Sequence, residues 1–150
     1  MKIKEKIAND FKEAFRRGDK ERKSVLSALN SEIKNKEIEL KKREDGLSDE
    51  ETLQIIKKAL KQREDSISQY KSGGRDDLAE KEAKEAEILK EYLPEQMSDE
   101  ELEKKIKEII DELGVKDSSD LGKVMGKAMG ELKNSADGNK VREIAQRILD

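Results

Sequence analysis

The amino-acid sequence predicts an all-α protein, with an N-terminal helical bundle over residues 1–93 and a compact three-helix unit over residues 97–150. Apolar residues recur at spacings of three and four along most of the chain, which is the period of one buried helix face. No segment alternates apolar and polar residues as a half-buried strand does. Hydrophobic residues make up 33% of the chain and charged residues 46%, a balance that favours helices with a thin core and a highly charged surface.

The first two helices are predicted from their apolar stripes. The first carries an apolar residue at every fourth position and ends near Gly18. These apolar residues are Ile3, Ile7, Phe11 and Phe15. The second helix follows at once, and its stripe consists of Val25, Leu26, Leu29 and Ile33. We expect it to continue to Gly46, the next residue that favours a helix end.

Capping and breaking residues delimit the next two helices. Ser48 and Glu51 have the spacing of a capping box, in which each side chain bonds the other residue's backbone N–H, so a third helix should begin there. Gly73 and Gly74 should end it. The apolar spacing then predicts a fourth helix over residues 76–92.

The boundary between the two predicted domains falls at Pro94, the only proline in the chain. A helix cannot continue through this residue without losing a hydrogen bond. Ser98 and Glu101 then repeat the capping box, and three shorter helices follow, the last of them starting at Asp137. We therefore expect Ser48, Ser98 and Asp137 to act as structural caps.

The composition excludes several classes of chemistry. The chain has no Cys and no His, which rules out disulfides, thiol nucleophiles, His-based triads and the usual zinc sites. Its charged N-terminus lacks the apolar region of a signal peptide, and no apolar run approaches the ~18 residues of a membrane span. We therefore expect a cytoplasmic protein with no metal, no cofactor and no membrane partner.

Basic side chains are concentrated at the two ends of the chain. Residues 1–43 contain 14 Lys and Arg against 8 Asp and Glu, a net charge of +6, although the whole chain carries −3. Residues 121–150 contain 6 basic and 4 acidic side chains, a net charge of +2. Such asymmetry can build local positive faces that meet phosphates without a basic isoelectric point.

One predicted helix in the C-terminal half carries three glycines. In "LGKVMGKAMGEL" (121–132), Gly122, Gly126 and Gly130 recur every four residues, and Lys123 and Lys127 lie beside them. Three interior glycines would cost a helix roughly 3 kcal/mol relative to alanine. Two explanations are open: either another helix packs closely here, or the sugar–phosphate backbone of a nucleic acid approaches and the lysines supply charge.

Over essentially its whole length, the sequence resembles the GatB/YqeY family. The resemblance lies in "EYLPEQMSDEEL" (91–102), "DLGKVMGKAMGEL" (120–132) and "ADGNKVREIAQRIL" (136–149), with further matches over 19–35 and 63–96. In the tRNA-dependent amidotransferase that converts misacylated Glu-tRNA(Gln) or Asp-tRNA(Asn), the GatB subunit ends in a similar helical tail that holds tRNA, and its catalytic domain lies elsewhere. The resemblance thus implies an all-helical fold with two subdomains and a role in tRNA binding.

The resemblance and the charge pattern together indicate candidate RNA contacts in both halves. In the C-terminal half these are Gly122, Lys123, Gly126, Lys127, Gly138 and Lys140, where the start of the last helix could also bind phosphate. In the N-terminal half they are Arg16, Arg17, Arg22 and Lys23. For each basic side chain the alternative is a solvated helix face. With only four aromatic residues, a stacking platform for single strands is not expected.

Three functions remain open. The first is a tRNA-binding or tRNA-metabolism-associated helical module without an active site of its own. The second is a protein-interaction module that docks on an amidotransferase or an aminoacyl-tRNA synthetase, with Met125 and Met129 as an adaptable contact. The third, and least favoured, is a carbon–nitrogen ligase with glutamine as amido donor, because no thiol nucleophile or nucleotide-binding loop is present and no carboxylate pair stands out among 36 acidic residues.

Overall fold

The computed structural model describes residues 1–150 and contains seven α-helices, one short 3₁₀ helix and no β-strand. The prediction of an all-α protein is confirmed. The helices are α1 (Ile3–Arg17), α2 (Lys20–Glu39), α3 (Asp49–Ser72), α4 (Asp76–Lys90), α5 (Asp99–Leu113), α6 (Leu121–Leu132) and α7 (Gly138–Leu149), and the 3₁₀ helix (Ser118–Asp120) precedes α6. The chain divides into two compact units, Met1–Leu93 and Pro94–Asp150, and each has its own apolar core.

The N-terminal unit is built from α1 to α4. Helix α3 packs along α4, α1 packs along α2, and α2 also contacts α3 and α4. The largest fully buried side chains are Ile7, Val25, Leu26, Leu29, Leu47, Ile56 and Leu89. The apolar stripes of α1 and α2 thus supply this core, except at the end of α1, where Phe15 is 63% exposed.

Helix α2 ends at Glu39, so the prediction that it continues to Gly46 is wrong. The chain turns at Lys41, which adopts a left-handed φ of 58°. The N–H groups of Lys41 and of the next residue donate to the carbonyls of Ile38 (3.2 Å) and Glu37 (2.7 Å). These paired bonds close a helix C-terminus. A glycine usually provides such a turn, which is why the sequence did not indicate a lysine there.

The buried carboxylate of Glu37 ties the loop after α2 to the rest of the unit. Glu37 is 7% exposed and accepts hydrogen bonds from Lys4 Nζ at 2.5 Å and from the Leu47 N–H at 3.1 Å. Gly46, with a φ of 75°, passes so close that an added Cβ would lie 2.6 Å from Lys4 Nζ and 3.0 Å from the Glu37 carboxylate. The backbone angle therefore favours glycine here, and any larger residue would also displace the Lys4 ammonium from its place.

Helix α3 begins with a capping box. Ser48 Oγ accepts the N–H of Glu51 at 3.2 Å, and the Glu51 carboxylate accepts the N–H of Ser48 at 3.0 Å. The Lys42 ammonium donates to the same carboxylate at 2.8 Å, and this bond, with the Ser48 N–H, lowers the pKa of Glu51 to about 2. Ser98 and Glu101 make the same reciprocal bonds at the start of α5.

The C-terminal unit packs α5, α6 and α7 around a second core. The fully buried apolar side chains of this core include Leu102, Ile106, Ile109, Val124, Ala128, Val141 and Ala145. Asp137 caps α7, since its carboxylate accepts the N–H of Asn139 at 3.2 Å.

Ion pairs at the edges of this core show the directions of its three helices. Two pairs join α5 to α6: Lys105 with Glu131, and Glu112 with Lys127. Two pairs join α5 to α7: Asp99 with Lys140, and Glu103 with Arg147. From the start to the end of α5, the paired residues of α6 lie progressively closer to the N-terminus of α6, and those of α7 lie progressively closer to the C-terminus of α7. Helix α5 is therefore antiparallel to α6 and parallel to α7.

Candidate nucleic-acid interface

The three glycines of α6 form an exposed strip of backbone, called here the glycine ridge (Gly122, Gly126 and Gly130). All three residues are exposed. A Cβ built on any of them would meet no atom within 4 Å outside the neighbouring backbone of α6 itself. Close packing of α5 or α7 is therefore excluded as the reason for these glycines.

Helix geometry places the glycine ridge on the side of α6 that faces away from both neighbouring helices. At roughly 100° per residue, the ridge spans about 80° of the helix surface, with Lys123 and then Lys127 on one flank and Met129 on the other. Lys127 bonds to Glu112 of α5. Met129 lies against the start of α7, where a Cβ added to Gly138 would be 3.4 Å from its methyl carbon. Lys127 and Met129 thus contact the neighbouring helices, and the ridge itself is open.

The two lysines beside the ridge are held differently. The Lys123 side chain is 73% exposed, and its ammonium lies 3.7 Å from a carboxylate oxygen of Asp120, beyond hydrogen-bond distance. Lys127 is 34% exposed and donates a hydrogen bond to Glu112. This bond raises the pKa of Lys127 and lowers the pKa of Glu112. Lys123 is therefore available to a ligand as it stands, whereas Lys127 must first leave its partner.

Lys140 lies apart from the two lysines of α6. Its ammonium donates to Asp99 at 2.6 Å, and this bond raises the pKa of Lys140. Asp99 and Glu112 stand at opposite ends of α5, about 20 Å apart along the helix axis. Lys127 and Lys140 are therefore held toward opposite ends of α5. Gly138, the remaining candidate of this half, is half-buried at the start of α7.

The arginine candidates of the N-terminal unit lie at the turn between α1 and α2. Glu13 accepts hydrogen bonds from both Arg16 and Arg17, whose side chains stay 75% and 72% exposed. Arg22 instead forms a two-pronged ion pair with Glu91, with N–O distances of 2.6 and 3.0 Å, which raises the pKa of Arg22 and lowers the pKa of Glu91. Arg22 thus links α2 to the end of α4, and a ligand would have to break this pair to reach it.

Phe15 is the feature of this turn that the sequence did not indicate. The stripe spacing assigns it to the core face of α1, yet its side chain is 63% exposed. The Lys23 ammonium, from α2, lies 4.7 Å from the centroid of the Phe15 ring, within the range of a cation–π contact. The only sequence signal for this exposure is that Phe15 stands at the end of the helix: it is the last residue of the stripe, and two arginines and Gly18 follow it.

These features define a class of protein: a small all-helical module of two units that presents an exposed, lysine-flanked helix face. No group of three or more potential ligand side chains is placed to hold a metal ion. None of the helices combines the length and the apolar character needed to cross a bilayer. The chain belongs to the YqeY-like protein family, whose sequence model matches residues 4–149. The family resemblance drawn from the sequence motifs is confirmed.

Relatives in three yeasts are similar to this chain, and each bears the name "Altered inheritance of mitochondria protein 41, mitochondrial". The Kluyveromyces lactis protein is 36% identical over 138 residues, which cover 86% of this chain and 73% of the relative. The Saccharomyces cerevisiae protein is 34% identical over 113 residues, covering 73% and 60%. The Candida glabrata protein is 39% identical over 90 residues, covering 59% and 48%. The chain therefore spans about half to three quarters of these relatives.

The expected cytoplasmic location is wrong in the light of these relatives, because all three are named as mitochondrial proteins. The expectation came from the lack of an apolar segment near the N-terminus. That observation argues against a secretory signal peptide only. Segments that direct proteins to mitochondria are amphipathic and rich in arginine, so hydropathy alone does not detect them.

Proposed function

We propose that this protein binds tRNA through the exposed face of α6. In this arrangement the sugar–phosphate backbone runs along the glycine ridge, where the absence of side chains permits close approach, and Lys123 meets a phosphate. The observation that carries the proposal is the open space over all three glycines. The likeness of the C-terminal unit to the tRNA-holding tail of the GatB subunit supports tRNA as the ligand.

The cost of the glycines supports a contact with another molecule. Each glycine in a helix interior is about 1 kcal/mol less favourable than alanine. No neighbouring residue would obstruct an alanine at any of the three positions. Within the C-terminal unit, alanine would therefore be the more stabilising residue, and the glycines are best explained by a ligand that needs the bare backbone.

Lys127 can add to the contact by exchanging its carboxylate partner for a phosphate. It would turn from the Glu112 carboxylate to a phosphate of the RNA. Exposed ion pairs contribute little net stability, so the exchange costs little. Both lysines then release counterions from the nucleic acid, which makes the affinity fall steeply as the salt concentration rises.

A second candidate function is the docking of a protein, such as an amidotransferase or an aminoacyl-tRNA synthetase. Met125 and Met129 are only partly buried and border the ridge on the side of α7. Flexible methionine side chains adapt to varied partner surfaces. Because such a contact depends on apolar burial, its affinity would change little with salt, in contrast to that of a phosphate contact.

The test is a titration of fluorescently labelled bulk tRNA with the full chain, followed by anisotropy from about 50 to about 300 mM salt. The ridge variant combines Lys123→Glu with Lys127→Glu. The matched control combines Lys104→Glu with Lys107→Glu, which makes the same change in charge at exposed positions of α5 in the same unit. Circular dichroism checks that both variants remain helical.

We expect micromolar binding by the wild type that weakens with salt and falls at least tenfold more in the ridge variant than in the control. Equal losses in the two variants would show a general charge effect and refute the location on α6. No binding by the folded wild type at low salt would refute tRNA binding altogether. Equal competition by a DNA duplex of the same phosphate content would show that the surface binds polyanions without preference for tRNA.

A further inference from the structure

We infer that Phe15 is a stacking site for one unpaired nucleobase of the bound RNA, an inference that rests on the proposed function. The site lies at the turn between α1 and α2, in the N-terminal unit. We call it the Phe15 site, and it consists of Phe15, Arg16, Arg17 and Lys23.

The ring of Phe15 has no place in the core of its unit. Along the stripe of α1, burial decreases from Ile7, which is fully buried, through the half-buried Phe11 to Phe15, which is 63% exposed. The other two aromatic side chains of the chain, Tyr70 and Tyr92, are half-buried and buried. Phe15 is therefore the one aromatic ring largely presented to solvent, and its exposed π surface is what a base would need for stacking.

The groups around the ring are cationic. The Lys23 ammonium lies over one face of the ring, 4.7 Å from its centroid. A base that stacks on this face would take the place of the ammonium, which could then meet the neighbouring phosphate. Arg16 and Arg17 follow the ring directly and share the single carboxylate of Glu13, which leaves positive charge in excess. Residues 12–23 contain 6 basic and 3 acidic side chains, a net charge of +3. One ring bordered by cations can stack one base, whereas a platform for successive bases would need more aromatic residues than this chain contains.

The surroundings of the ring favour a nucleobase over an apolar protein surface. Protein interfaces gather several apolar side chains into a core. The other exposed large apolar residues of this unit are Met1, Ile38 and Leu40. They lie at the far ends of α1 and α2, about 20 Å or more from Phe15 along those helices. A single ring among charged side chains suits one planar base.

The chain contains no tryptophan, so Phe15→Trp provides a unique fluorescent reporter at the site. Its emission is followed while the full-length variant is titrated with tRNA, with a 12-nucleotide oligoadenylate, and with inorganic polyphosphate as a polyanion that has no bases. Ile38→Trp is the matched control, because Ile38 is also exposed and belongs to the same unit. Anisotropy with labelled tRNA then compares the wild type with Phe15→Leu and Phe15→Tyr.

We expect tRNA and oligoadenylate to quench the Phe15→Trp emission, polyphosphate not to quench it, and Ile38→Trp to be unaffected. Phe15→Leu keeps apolar bulk but removes the π face, so tRNA should bind roughly tenfold more weakly. Phe15→Tyr should bind as the wild type does. Wild-type affinity in Phe15→Leu, or equal quenching by polyphosphate, would overturn the stacking site and leave the proposed function standing. Failure of the wild type to bind tRNA would overturn both.

Discussion

Replacing Gly126 with alanine should stabilise the C-terminal unit and, under the proposed function, weaken the binding of tRNA. Gly126 lies in the middle of α6 and has open space where the Cβ would be, so the substitution should gain most of the difference in helix propensity, about 1 kcal/mol. Gly122 and Gly130 lie nearer the helix ends, where the gain is smaller. The triple alanine variant should therefore be stabilised by about 2 kcal/mol, while three added methyl groups hold an RNA backbone away from the ridge.

Amide hydrogen exchange followed by mass spectrometry measures this effect in the intact chain, because peptides from α5 to α7 report on the C-terminal unit separately. Gly114→Ala is the matched control. Gly114 lies in the same unit and also has open space at its Cβ, but its φ is 66°. Alanine is strained at that angle, so this variant should be destabilised by about 1 kcal/mol.

Two results would refute the reasoning in different ways. If Gly126→Ala leaves exchange protection unchanged or lowers it, the space over the ridge is not open in solution. If the triple variant is stabilised but binds tRNA with wild-type affinity, the helix energetics are right and the ridge is not the binding surface. Stabilisation together with a loss of affinity is the outcome that we expect.

Three further predictions concern the N-terminal unit. Because the pKa of Glu51 is about 2 when folded against an ordinary 4.5, its carboxylate stabilises the fold above about pH 4.5, and this contribution should disappear as the pH falls from about 4.5 to about 2. Urea unfolding at several pH values should therefore show that the difference in stability between the wild type and Glu51→Gln shrinks as the pH falls through that range. A difference that stays constant with pH would contradict this prediction. Glu37→Ala leaves the buried Leu47 N–H without its acceptor, so it should lower the free energy of unfolding by about 1–3 kcal/mol in the same assay. A loss below about 0.5 kcal/mol, roughly the scatter of such measurements, would show that Glu37 does not hold the loop after α2 in place. Gly46→Ala should lower the thermal midpoint, and adding Lys4→Ala should recover only part of the loss, because it relieves the contact but not the strain at a φ of 75°; full recovery would show that strain is unimportant.

The sequence predicted the helices wherever periodicity and end signals agreed. The stripe of α1 and the capping box at Ser48 are local patterns, and they account for the positions of α1 and α3. The end of α2 was missed because Lys41 closes the helix in a conformation that glycine normally provides. The loop that follows is held by Glu37 and Lys4, whose hydrogen bond joins residues 33 positions apart and which no local pattern indicates.

The candidate site was predicted less completely than the fold. Helix periodicity located the glycines and lysines of α6 on adjoining faces, but only the packing of α5 and α7 shows that the ridge is uncovered. The separation of Lys140 from Lys127 follows from the antiparallel and parallel directions of the helices, which no local pattern encodes. The exposure of Phe15 also depends on the packing of the helices, because an apolar stripe in the sequence does not reveal where the core beneath it ends.

The bond between Lys127 and Glu112 has a consequence for ligand selectivity. Because Glu112 belongs to the same unit, its carboxylate competes with any dissolved anion for the Lys127 ammonium. A single free phosphate gains little by displacing it, since one ion pair replaces another. A polymer already held by Lys123 presents its next phosphate at high local concentration and can displace the carboxylate. Under the proposed function, α6 therefore rejects small anions and retains chains of phosphates, and Glu112→Gln should relax this discrimination.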